Sequence, residues 1–249
     1  MSHPPRLIFL VITLFAIAMG FLESAVVVYL REIYYPEGFS FPLKNMSHHV
    51  VVTELLRELA TMVMLVTAAW LCARTWTVRF AWFIYLFAVW DIFYYVFLWA
   101  LLGWPDSLLT WDILFLIPTT WVGPVLAPVI NSLTMIVLAM VIIQADWRTS
   151  ERADGQASER VRIGGAEWAL LVAGALVTVS AYIQDYSTYM LGKFSFSDLF
   201  QPSHRAEIAE HVSHYIPVSF NWWLFVSGEL IFLAAIIRVW KVSRKFFHH

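Results

Sequence analysis

Glu23, Glu54, Arg57, Glu58 and Asp91 fall inside apolar stretches near twenty residues long, where a lipid-spanning helix ordinarily carries no charge. Each such group costs roughly 2.5 to 3.5 kcal/mol at a helix centre, so it is retained for a partner or a task. Glu54, Arg57 and Glu58 share one helix face through i, i+3 and i+4 spacing. Glu23 falls at a similar depth in the preceding stretch, where Ala16 and Gly20 permit close approach of a neighbouring helix. The expected arrangement puts Glu23 against Arg57, with Glu54 facing the outer opening. Asp91 is followed by the hydroxyl donors Tyr94 and Tyr95, and Glu229 is comparably deep in the last stretch, within reach of the Asn131 or Asn221 amide.

Carboxylates in this number against the single guanidinium of Arg57 cannot all be ionised in a low dielectric: several carry protons, or cations bind among them. Glu54, Glu58 or Asp91 then suits proton transfer and Arg57 the stabilisation of developing negative charge. The competing reading is a buried ion pair that fixes helix register, with the remaining acids as neutral hydrogen-bond partners.

A second group lies in the loops. His48, His49, His204, His211 and His214 all fall on one side of the predicted membrane, and Glu207 with His211 has one-turn spacing. His48, His49, Glu207, His211 and His214 are the residue types that bind a transition metal, and His48 or His49 with His211 or His214 could hold a surface haem. The same stripe on an amphipathic helix, expected over 203–214, also reads as a solvated face. No His-Glu-x-x-His, Gly-x-Ser-x-Gly or Cys-x-x-Cys motif occurs, and Cys72 is the only cysteine, which excludes an intrachain disulfide and thiol-relay chemistry.

The elements that position these residues follow from composition. The 249 residues are 60% hydrophobic and 14% charged, with 13 Trp, which places the chain in the polytopic membrane class. An all-α bundle forming a single integral membrane domain over 1–249 is predicted, with spans near 7–30, 50–72, 80–102, 121–144, 166–184 and 217–240. The first span has the outline of a signal peptide, but its apolar run continues to Leu30, so it reads as a helix. Eleven of the 16 Lys and Arg fall on the side that holds both termini, which predicts cytoplasmic termini in a plasma or inner membrane. The polar stretch 146–165 is expected to be a flexible cytoplasmic loop. Between Pro105 and Pro118 the apolar run is too short to span, and a short re-entrant or interfacial helix near 105–117 is expected. Loops 31–49, 103–120 and 185–216 are placed to lid the outer face.

Three functional classes fit this pattern. One is an enzyme acting on a lipid, quinone or other apolar small molecule. Another is a non-catalytic accessory or assembly subunit among other membrane subunits. The third is a proton-coupled transporter using Glu23, Glu58 and Asp91 as a relay, which ranks last because the polar residues gather toward one face and no inverted repeat is evident. Membrane lipid is the expected partner; the net charge of -2 and the topological spread of basic residues exclude nucleic acid.

Overall fold

A computed structural model describes residues 5–152 and 163–245. Six helices are long and apolar enough to cross a membrane, as an integral membrane protein requires. They are α1 (Pro5–Tyr34), α2 (His48–Cys72), α3 (Trp76–Leu102), α4 (Leu126–Arg152), α5 (Gly165–Leu191) and α7 (Trp222–Lys245), with the short α6 (Arg205–Val212) before the last. Local chemistry sets several boundaries. Ser47 accepts the Val50 N–H and Thr75 the Val78 N–H as N-caps, and Gly103 ends α3 in the left-handed region at φ 66°. Pro128 sits in the first turn of α4, where its missing N–H has no intrahelical partner to lose.

The helix α3 is central. It packs along α1, α2 and α4, while α4 also packs along α7, and α7 along α5. Gly174 and Gly228 bring α5 and α7 together: the Phe232 ring covers Gly174, and Thr178 rests on Gly228. By contrast α2 flanks the bundle, making extended contact with α3 alone. The loops after α1, α3 and α6 meet at one end, where Phe39 packs on Trp104 and Phe41 on Tyr215 at ring separations of 6.0 Å.

Two expectations are corrected. The segment near 105–117 holds no helix: β1 (Trp111–Phe115) pairs antiparallel with β2 (Trp121–Pro124), with an irregularity between Ile113 and Phe115. Pro118 and Pro124 interrupt the segment, and the Trp, Ile, Phe and Val content around them favours a short pleated pair. The predicted fourth span accordingly begins at Leu126, its first residues being β2. The start of the predicted loop 146–165 is also helical, because Asp146 to Arg152 extends α4; residues 153–162 lie outside the described residues.

The hairpin reaches inward. Glu58, ten residues into α2 and so about 15 Å from that helix end, accepts the backbone N–H of Leu116 just past β1. Trp121, at the start of β2, stacks on Tyr182, which lies nine residues, about 13 Å, from the end of α5. The two independent anchors place the tip at 116–120 between a third and two fifths of the way along these helices. The segment expected to form a short re-entrant or interfacial helix is a strand pair whose tip packs against α2 and α5.

Candidate functional site

Arg57 is the centre of the first polar cluster. It forms an ion pair with Glu23 of α1, and its Nε and Nη2 approach Glu54 Oε2 at 2.9 and 2.8 Å. Thr61 donates to the other Glu23 oxygen at 3.4 Å. Since α1 and α2 each pack on α3 and make no extended contact with each other, these side chains bridge the two helices. The expected Glu23–Arg57 pairing is present. Glu54 is buried beside Arg57 rather than facing an opening, because its oxygen takes two guanidinium nitrogens. Glu58 turns from Arg57 toward the hairpin and holds the Leu116 N–H with both oxygens, at 3.0 and 3.2 Å.

A second ion pair escaped the sequence reading. Arg31, counted there as a loop cation, belongs to the last turn of α1 and is 7% exposed. Its guanidinium lies 3.7 Å from the Trp104 ring centre, 4.7 Å from Phe39 and 3.6 Å from Asp112 of β1. Tyr95 donates to the other Asp112 oxygen at 3.3 Å. The alternation of β1 sends Asp112 inward, and Gly123 opposite it lets the Phe220 ring close over the strand pair, where a Cβ would meet that ring at 3.0 Å. Tyr94 joins the two clusters electrostatically, having Asp112, Arg31, Glu23 and Arg57 as charged neighbours.

The third cluster lines up on α4. Ser132 donates to Asp91 at 2.8 Å, while Asn131 and Thr134 donate to the two oxygens of Glu229 at 2.9 and 2.6 Å. Asn131 thus takes Glu229, and Asn221 instead bonds Gln184. Tyr182 has Asp91 and Glu229 as its charged neighbours. The buried Tyr182 hydroxyl and the indole N–H of its stacking partner Trp121 both lack a hydrogen-bond partner among the described residues.

Together these clusters place six carboxylates, Glu23, Glu54, Glu58, Asp91, Asp112 and Glu229, around two guanidiniums, Arg31 and Arg57. Every one of these acids accepts from at least one other residue. The surplus of four negative charges still requires protons or cations. Tyr94 and Tyr95 add hydroxyls between the first two clusters.

The loop histidines are not brought together. His48 and His49 touch each other at the start of α2, whereas His211 stacks on Tyr189 at 4.2 Å and packs against Phe194. His214 Nδ1 lies 2.8 Å from the Glu210 carbonyl oxygen. Glu207 pairs with Lys193 at 3.1 Å and His204 at 3.6 Å, and Lys193 holds its carboxyl below the ordinary range. Among the described residues no group of three or more His, Cys, Asp or Glu is arranged to hold a metal ion. No protein-family description, curated protein or solved structure matches this chain.

Proposed function

We propose that the chain is a membrane enzyme acting on a lipid, quinone or other apolar substrate at the polar belt beneath the re-entrant hairpin. The observation that carries this reading is the surplus of carboxylates, set at membrane depth around two fixed guanidiniums. In this role Glu58 and Asp91 exchange protons with the substrate, and the Arg57 cluster stabilises negative charge that develops there. Glu54 and Glu23 keep Arg57 oriented, and Tyr94 and Tyr95 supply neutral donors. The enzyme is placed in a plasma or inner membrane with both termini cytoplasmic, from the distribution of Lys and Arg.

The test compares purified wild type with Glu58→Gln on a membrane-lipid extract, reading substrate loss and product gain by mass spectrometry. Glutamine still accepts the Leu116 N–H but cannot cycle a proton. The enzyme reading expects a product with wild type and none with the variant, at unchanged unfolding temperature.

An accessory-subunit role is the second reading, and it is favoured by one observation: every acid already holds a donor from another residue, as a purely structural network does. It predicts that Glu58→Gln alters neither lipid composition nor turnover, and that damage from other substitutions tracks stability.

A further inference from the structure

The hairpin tip leaves backbone donors open at a depth where water is scarce. Leu116 gives its N–H to Glu58, but the N–H groups of Ile117, Thr119 and Thr120 find no protein acceptor among the described residues. Non-helical backbone at such depth is stable only when protein satisfies it or when it lines a polar cavity. Protein does not surround it. Ile117, Thr119 and Thr120 are only partly buried and Pro118 is exposed. On one side stands α2, whose extended contact is with α3; on the other stands α5, with Tyr182 stacked on Trp121 and Tyr186 within hydrogen-bonding reach of Thr120.

Two more unsatisfied donors adjoin the tip: the Trp121 indole N–H and the Tyr182 hydroxyl, the latter on a residue 4% exposed. A buried polar group without a partner costs about 1 to 3 kcal/mol, so a cluster of them marks a place where an acceptor is expected. Glu58, Asp91 and Glu229 stand near these donors and repel an anionic head such as a phosphate. A neutral oxygen acceptor meets no such penalty.

We propose that the tip at 116–120, with Trp121 and Tyr182, is the docking site for the carbonyl oxygen of a neutral apolar molecule that enters sideways from the bilayer between α2 and α5. The carbonyl belongs to an acyl ester or to a quinone ring; both present the same acceptor on an apolar body. The ligand class rests on the apolar-substrate reading above, whereas the cavity itself is read without turnover.

The test uses the full chain in lipid nanodiscs in a Cys72→Ala background, with Thr119→Cys as the probe. Leu59→Cys is the reference, since Leu59 is 52% exposed on the lipid-facing side of α2 at the depth of Glu58. A charged thiol reagent labels Thr119→Cys about a hundredfold faster than Leu59→Cys, because hydrocarbon excludes the charge. Equal rates overturn the cavity. A diacylglycerol and a fully substituted alkyl benzoquinone are then added, with an alkane of matching length as control. One carbonyl compound slows the labelling and the alkane does not; diacylglycerol protection identifies the ester, quinone protection the ring carbonyl. Tyr182→Phe raises the protecting concentration about tenfold, the worth of one hydrogen bond. Protection by neither carbonyl compound, or no change in Tyr182→Phe, overturns the docking site. Fast labelling with carbonyl protection, in a protein whose turnover survives Glu58→Gln, ends the proton-transfer reading and leaves this one standing.

Discussion

Glu58 and Leu116 are 58 residues apart in sequence, yet both carboxylate oxygens of Glu58 accept the Leu116 N–H, at 3.0 and 3.2 Å. This contact ties the flanking helix α2 to the end of β1. It satisfies one backbone donor of a hairpin that otherwise enters the bundle with open groups, and it keeps a carboxylate next to the Arg57 cluster.

Replacing Glu58 therefore separates two effects. Glu58→Ala leaves the Leu116 N–H without an acceptor and should destabilise by about 1 to 3 kcal/mol. Glu58→Gln should stay within about 0.5 kcal/mol of wild type, as it keeps an acceptor oxygen. Chemical unfolding of both variants in mild detergent checks this.

Arg57→Met strands Glu23 and Glu54 without their cation, and breaking one side of a buried pair costs about 3 to 5 kcal/mol. Adding Glu23→Gln should recover part of that loss. A double-mutant cycle on unfolding free energies reads the coupling, and a coupling near zero would show that the bridge between α1 and α2 contributes nothing.

Arg31 and Asp112 pin the hairpin to the end of α1, with Tyr95 as the third member. Asp112→Ala should loosen residues 111–124 while leaving the helices intact. Hydrogen exchange followed by mass spectrometry should show faster exchange in the hairpin peptide alone; faster exchange throughout α1 and α3 would place the pair in global stability instead.

Gly228 allows the closest approach of α5 and α7. A Cβ there would run into Thr178 Oγ1 and lie 3.0 Å from the Thr178 backbone N. Gly228→Ala should cost about 1 to 3 kcal/mol by forcing the helices apart. Gly165→Ala, with nothing within 4 Å of the added atom, is the control and should be nearly silent.

The helices and the first cluster were legible in the sequence because they depend on local signals. Span length and apolar content set the six helices, and i, i+3, i+4 spacing with equal depth put Glu23 within reach of Arg57. The hairpin was not, because a seven-residue, mostly apolar run between turns, 111–117, fits strand and helix alike; three prolines and the aromatic and β-branched content were the available signal for strands. Arg31 was hidden by the end of the apolar run at Leu30, since its burial depends on Trp104 and Asp112 arriving from distant segments. The loop histidines carried ligand spacing, but ring stacking and turn contacts take those side chains in separate directions.

The surplus of carboxylates over guanidiniums is the central claim, and infrared spectroscopy of the purified protein at neutral pH tests it most directly, with elemental analysis of the same sample. The account predicts protonated carboxyl bands that shift on exchange into heavy water and shrink in at least one of Glu58→Gln, Asp91→Asn and Glu229→Gln, or else a stoichiometric bound cation lost in the same variants. A spectrum with no protonated carboxyl, from a sample with no bound cation, would contradict it.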